Sequence, residues 1–237
     1  MRKIFIDCGA NQGQSINLFI KSWPDSKEYE IFSFEANKDF EEKLEKEKKF
    51  WEAEGYNINI NVPVAVWDKD TEGELNLFGE GEHAVVSDKP SLKRTGLDPC
   101  LMPSDSDETH WLVAYNVIEN PPLREFKPKS IRLSTWILNN FSKDDYIVLK
   151  LDIEGSEYRI IKDLKSEKAF GYINEFYYEF HGPKKGFTYK DDIKALNTIR
   201  QHGITPYSWN GNLLDFEKKE VHEIIILDWY SRKGFET

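Results

Sequence analysis

Cysteine is almost missing from this chain. Cys8 and Cys100 are the only two in 237 residues. Their contexts differ, so no disulfide framework is expected and a reducing, cytoplasmic setting is the default. Long apolar runs are missing as well. The best, residues 224–227, falls far short of the roughly 18 residues of a membrane helix, so no membrane partner is expected. The opening MRKIFIDCGA is interrupted by Asp7 and makes a poor signal peptide. Basic charge is in deficit: 32 Lys and Arg stand against 42 Asp and Glu, a net charge of −10. A nucleic-acid binder needs a concentrated Lys/Arg surface, so nucleic acid is not an expected partner. Internal repeats and low-complexity segments are absent too.

Apolar residues make up 39% of the chain and aromatics 14%. That supplies one core, and the length suits a single domain over residues 1–237 with one insertion. KIFIDC, residues 3–8, reads as a buried strand and residues 9–13 as a glycine turn. Residues 14–22 read as a helix stopped by Pro24. Residues 30–34 form a second strand. Residues 37–53 form a charged amphipathic helix with Asn37 as N-cap and Phe40, Leu44 and Phe50 on its apolar side. Residues 57–66 read as a third strand, its pairing limited by Pro63.

The pattern changes over residues 67–130, which hold most of the proline and no long periodic helix. A strand is expected at 74–78. The stretch from about 79 to 130 reads as an insertion or lid, because Trp111, Leu112, Val113 and Tyr115 need a surface to pack on. Alternation then resumes: helix 134–141, strand 146–151, helix 156–165, strand 172–180, and helix 190–202 closed by Gly203. A final strand pair, 205–209 and 222–229, is joined by a turn at 210–212. The expectation is an α/β fold: right-handed βαβ units, a parallel sheet covered on both faces, and one antiparallel edge.

Four motifs carry chemistry. In IFIDCGANQGQS, residues 4–15, a strand runs into a glycine turn and a helix, where open α/β folds bind ligands. The spacing is G-x-x-x-G and not the G-x-G-x-x-G of dinucleotide binders. Asp7 at the strand end would repel a pyrophosphate and suit an ammonium group. Glu35 ends the second strand about 20 residues later, the usual place for an acceptor of ribose hydroxyls. In IVLKLDIEGSEYRII, residues 147–161, Lys150, Asp152, Glu154 and Glu157 crowd a strand end and a helix start. An acid in a first helical turn is mildly stabilising, which is the plainest reading of Glu157, whereas Asp152 and Glu154 sit where the loop faces the sheet crevice. In YYEFHG, residues 177–182, Glu179 and His181 point the same way by the period of a strand and suit an acid/base pair.

These motifs resemble the FkbM family of S-adenosylmethionine-dependent methyltransferases. The matching residues are D-x-G-A-N-x-G at 7–13, F-E-A-N at 34–37, A-V-W-D at 65–68, K-x-D-x-E-G-x-E at 150–157 and E-x-H at 179–181, in the family's order. The resemblance implies a Rossmann-like methyltransferase fold, with a seven-stranded, mostly parallel sheet and an antiparallel last strand. It implies O-methylation, often of a sugar or a glycosylated small molecule. Carried over by position, Asp7, Gly9 and Asn11 would hold the methionine end of the cofactor and Glu35 the ribose. Val66, with Ala65 and Trp67, would lie near adenine, and Asp68 would take the adenine amino group. Gly13, Ser15, Ala36 and Asp152 complete the cofactor set. Two features depart from the pattern. L-S-T-W at 133–136 offers no carboxylate where the family often has Leu-Asp-Asp, and the insertion is long.

The expected reaction is an in-line displacement at the sulfonium methyl by an acceptor hydroxyl. His181 is the first choice of base, with Glu179 orienting it or acting itself. Asp152 and Glu154 would position the acceptor, contact the methionine ammonium or bind a divalent cation, and Lys150 joins the catalytic set. Asp152, Glu179 and His181 have the donors for a metal. Carboxylates also bind sugar hydroxyls without one, so no metal is expected. His83, Trp111 and Tyr115 of the insertion would contact the acceptor. The alternatives are a nicotinamide-dependent oxidoreductase, disfavoured by the missing glycine and by Asp7, and a non-catalytic nucleotide-binding module on the same fold.

Overall fold

The computed structural model describes residues 1–73, 75–78, 85–87, 127–181 and 189–209. His83, Trp111, Tyr115, Cys100 and the expected last strand at 222–229, with its antiparallel edge, lie outside these residues. In chain order the elements are β1 (Lys3–Cys8), α1 (Gln14–Ser22), β2 (Tyr29–Phe34), α2 (Glu41–Ala53), β3 (Asn57–Asn61), β4 (Val64–Trp67), β5 (Asn76–Phe78), β6 (Val85–Ser87), β7 (Lys129–Arg132), α3 (Leu133–Asn140), β8 (Tyr146–Leu151), α4 (Glu157–Ser166), β9 (Glu175–Tyr178), α5 (Tyr189–Arg200) and β10 (Pro206–Ser208).

Strand β1 shows why the sheet is two-faced. Ile4, Ile6 and Cys8 enter one apolar cluster, and Phe5 enters another on the opposite face. A strand buried on both sides belongs in the middle of a sheet covered by helices. Among the described residues the central sheet has six strands in the order β10-β9-β8-β1-β2-β3, and every neighbouring pair is parallel. Helices α1 and α2 cover one face with Ile16, Phe19 and Trp51. Helices α3, α4 and α5 cover the other with Ile137, Leu164 and Leu196. Each such side chain, fully buried, contributes roughly 1.5–3 kcal/mol. The result is the expected α/β architecture, mostly parallel and Rossmann-like. Among the described residues no helix is long and apolar enough to cross a membrane.

The chain lays down β1, β2 and β3 toward one edge, then returns to build β8, β9 and β10 toward the other. Strand order therefore reverses between β1 and β8. That reversal opens a crevice at the carboxyl ends of these two strands.

Three local expectations are corrected. The strand expected at 57–66 is two strands. The chain turns at residues 62–63, where Pro63 has no N–H to offer a ladder. Val64 N donates to Glu35 O at 2.7 Å, and β4 then leaves the central sheet to pair with β7 in parallel. Phe50 does not face the core: it is 62% exposed, while Trp51 is 1% exposed. Leu44 and Trp51 are two helical turns apart and share a face, which Phe50 does not. The strand expected at 172–180 shrinks to β9, preceded by a short 3-10 turn at Ala169–Tyr172. The expected strand at 74–78 survives as β5, hydrogen-bonded to β6 in an antiparallel ribbon.

Candidate functional site

The glycine turn after β1 and the loop after β8 meet at the reversal point. Asp152 N donates to Cys8 O at 3.1 Å. Gly9 has φ 88°, and a Cβ there would stand 1.8 Å from the Asp152 carbonyl oxygen. Only glycine allows both this backbone conformation and this approach. The turn is tied to β2 as well, through Gly9 N and Ala10 N on Phe34 O, both at 3.0 Å.

A cleft opens above this junction, lined by Gly9, Asn11, Glu35, Ala36, Val66 and Asp152 among others. Glu35 Oε2 accepts from Asn11 N at 2.8 Å, and its Oε1 accepts from Asn37 N at 2.7 Å. Burial pushes the Glu35 carboxyl above its ordinary range, against the pull of these two amides. Each carboxylate oxygen keeps a second lone pair, so the group still has acceptor capacity. Asn11 sits at φ 51°, a left-handed conformation that asparagine tolerates. Its Oδ1 is buried without a hydrogen-bond partner among the described residues. That orphaned acceptor calls for a donor such as an ammonium or a hydroxyl. Phe40, Val64, Ala65 and Val66 give the same cleft an apolar wall. Acceptors beside an apolar wall fit S-adenosylmethionine, which carries an ammonium, two ribose hydroxyls and a flat base.

Beneath the cleft, a polar row crosses four strands in register: Ser33, Asp7, Lys150 and Tyr177. Asp7 is 0% and Lys150 1% exposed. Lys150 Nζ lies 3.2 Å from Asp7 Oδ1 and 3.0 Å from Asp152 Oδ2, and donates to Gly9 O at 2.8 Å. Asp7 Oδ2 accepts from Ser15 Oγ at 2.7 Å and Ser33 Oγ at 3.3 Å. Burial alone would lower the Lys150 pKa, but Asp152 and Asp7 outweigh it and raise it above the ordinary lysine value. Lys150 is thus a fixed cation bracing β1, its turn and Asp152, and it is poorly suited to accept a proton at neutral pH.

His181, 8% exposed, stands among four carboxylates. Its Nδ1 lies 3.1 Å from Glu157 Oε1. Its Nε2 faces Glu179 Oε1 at 3.7 Å, and Asp152 Oδ1 and Glu154 Oε2 at 3.8 Å. Glu157 is 0% exposed. Its Oε1 also accepts from Ile153 N at 2.9 Å and Gly155 N at 3.1 Å, and its Oε2 is buried without a hydrogen-bond partner among the described residues. Glu154 has φ 55°, a strained setting for a non-glycine residue at the mouth of a site. Burial, then the charge of Asp152, push Glu179 above its ordinary value, while His181 and Lys150 pull it down. Its side chain is half exposed, so solvent screens these effects. Donor atoms of Asp152, Glu157 and His181 lie within 4.8 Å of one another, a set able to hold a divalent cation.

The structure therefore sorts the expected residues into three places. Gly9, Asn11, Glu35, Ala36, Val66, Asp152 and Glu154 line the cleft. Glu179 and His181 sit beside it, sharing Asp152 and Glu154 as the wall between. The rest take other partners. Asp7, expected to meet the ammonium, is turned inward onto Lys150 and Ser15, because an unpaired buried lysine would be costly. Gly13 backs onto Trp51. Asp68, expected near adenine, is 3.2 Å from Arg159, whose guanidinium lies 4.5 Å over the Trp67 ring. In the sequence Glu157 reads most plainly as a stabilising acid in a first helical turn. Its place at the end of K-x-D-x-E-G-x-E was the one signal that it does more.

A family model described as methyltransferase FkbM domain matches residues 7–205 of the 237. No curated protein and no solved structure gives a match.

Proposed function

The chain belongs to the FkbM methyltransferase family, and from that premise we propose that it moves a methyl group from S-adenosylmethionine to a hydroxyl of a sugar, a glycan or a small glycosylated metabolite in the cytoplasm. One observation carries this proposal: the cleft with its acceptors and the His181 cluster share Asp152 and Glu154 as a common wall. A ligand in the cleft and an acceptor beside His181 would be neighbours. Bound in the cleft, S-adenosylmethionine supplies an electrophilic methyl whose bonding pair leaves with a neutral thioether.

The chain's own residues do the rest. Glu35 accepts from the ribose hydroxyls while its two amide bonds hold it in place. Asn11 Oδ1 accepts from the ammonium, a role that the buried Asp7 does not fill. Ala65 and Val66 flank the base. Asp152, held by Lys150, and Glu154 bind the acceptor's neighbouring hydroxyls. An alcohol is a weak nucleophile at neutral pH, so His181 takes its proton as the oxygen bonds the methyl carbon. No metal is part of the proposal. Family membership sets aside the nicotinamide-dependent alternative.

The deciding experiment is a tritiated-methyl transfer assay over free, nucleotide-linked and polymeric glycans. Label in one class of acceptor is the expected result and names the substrate class. Absence of transfer throughout, with S-adenosylhomocysteine still bound in a calorimeter, would overturn the proposal in favour of a non-catalytic binding module.

A further inference from the structure

Sequence pattern alone makes Glu179 the partner that orients His181, two residues along the same strand end. The structure puts Glu179 on the other side of the ring. Glu179 Oε1 is 3.7 Å from Nε2, beyond a hydrogen bond, and its side chain is half exposed. Glu157 Oε1 is 3.1 Å from Nδ1 and is fully buried. With the base role proposed for His181 as its premise, we infer that Glu157 is the positioning residue of this site, holding the imidazole with its Nδ1–H toward α4 and its Nε2 toward the acceptor.

Three features support this. First, a carboxylate oxygen can only accept, so the hydrogen bond to Glu157 places the proton on Nδ1. Neutral imidazole then carries its lone pair on Nε2, the nitrogen facing Asp152, Glu154 and Glu179. That is the nitrogen a base must use. Second, Glu157 cannot swing away. It begins α4, and its Oε1 is fixed by Ile153 N and Gly155 N from the loop that walls the cleft. Ring orientation, loop shape and helix start are therefore one unit. Third, when His181 takes a proton, the resulting cation lies against a buried carboxylate, where an ion pair is least screened. Among the described residues, the carboxylates facing the ring are Asp152 and Glu154 from the loop after β8, Glu157 from α4 and Glu179 from the end of β9. Lys150 lies behind Asp152 and offsets part of their charge. Glu157 stands 3.1 Å from Nδ1, whereas Asp152, Glu154 and Glu179 stand 3.7–3.8 Å from Nε2.

The test begins with the apo protein. Nitrogen-15 NMR of histidine-labelled enzyme, with the His181→Gln spectrum to assign the signal, should show His181 as the Nδ1–H tautomer above its titration. The Glu157→Gln variant keeps an acceptor for the two amides but removes the charge. Because the same oxygen meets the ring, it should weaken the hold on the Nδ1–H tautomer by replacing a charged acceptor with a neutral one. With an active acceptor in hand, kcat should fall on the order of 10²- to 10⁴-fold in Glu157→Gln with the KM for S-adenosylmethionine unchanged. The same change made in the His181→Gln background should add little. An Nε2–H tautomer in the wild type would overturn the inference, and that spectrum needs no variant to fold. Equal losses from Glu157→Gln in both backgrounds would also overturn it, by showing a role independent of the ring. An Nδ1–H tautomer together with a fully active His181→Gln would instead remove the proposed base and leave the positioning intact.

Discussion

Gly9 and Asp152, 143 positions apart in the chain, meet so closely that a Cβ on the glycine would stand 1.8 Å from the aspartate's carbonyl oxygen. This contact joins the turn after β1 to the loop after β8 and sets the floor of the cleft. Gly9→Ala must push the two loops apart and force alanine to φ 88°. The expected cost is on the order of 2–5 kcal/mol, from left-handed strain plus overpacking. Urea unfolding of the variant checks it. A midpoint within error of wild type would mean the loops do not meet this way.

Lys150 is the fixed charge under that floor. Lys150→Met leaves Asp7 and Asp152 without their cation, and a broken buried pair costs about 3–5 kcal/mol. The double variant Lys150→Met with Asp7→Asn should recover part of the loss, because it removes the stranded charge as well. Thermal melts of the single and double variants measure the recovery. Independent, additive losses would show that the two side chains do not interact.

Glu35 bridges the two loops that flank the cleft and presents acceptors to it. Glu35→Ala should weaken S-adenosylmethionine binding on the order of 3 kcal/mol, more than a hundredfold in Kd, for the loss of charge-assisted bonds to two hydroxyls. Because burial raises its pKa, the carboxylate protonates at higher pH than an ordinary glutamate. Affinity should therefore begin to fall earlier on acidification. Calorimetry across pH 7 to 5 reads both effects, and a flat wild-type profile with unchanged Glu35→Ala affinity would remove Glu35 from the site.

His181 is expected to matter for turnover and not for cofactor affinity. His181→Gln keeps a hydrogen-bonding side chain but cannot carry the proton. Its kcat should drop on the order of 10²- to 10⁴-fold, while the calorimetric affinity for S-adenosylhomocysteine stays at the wild-type value. Near wild-type turnover would shift the base role to Asp152 or Glu179.

Asp145 ties the amino-terminal edge to β8. Its Oδ1 accepts from Arg2 N at 3.0 Å, and its Oδ2 accepts from Ser142 N at 2.9 Å. The Ser142 amide, then the Arg2 amide, lower its pKa below the ordinary aspartate value. A depressed folded-state pKa means the stabilisation is present above the unfolded value and is lost as pH falls through the folded one. Asp145→Asn should cost about 1 kcal/mol at pH 7, and the gap to wild type should close as pH approaches the folded pKa. Urea unfolding of both proteins between pH 7 and 3 measures the gap. A constant difference would exclude the ionised carboxylate as its source.

Local pattern determined much of this protein. Alternation of strand and helix signals fixed the α/β class, because periods of 2 and 3.6 are set by the backbone alone. The glycine turn after β1, Glu35 at the tip of β2, and the Asp152, Glu154 and His181 positions were legible for the same reason: strand ends in such a fold face the crevice wherever the strands pair. What each acid bonds to was not legible. Asp7 and Lys150 become partners only because β1 and β8 are adjacent in register, and a pairing across 143 residues leaves no mark on local periodicity. Folding turned Asp7 from a ligand contact into the anchor of a buried lysine. It sent Asp68 to Arg159, and it raised Glu157 from a helix-start charge to the partner of His181. It also split residues 57–66, where Pro63 looked like a weak point in one strand and the tertiary pairing with β7 made it the boundary between two. Sequence set which residues stand at the mouth of the sheet; burial and register decided which of them line the cleft and which face each other.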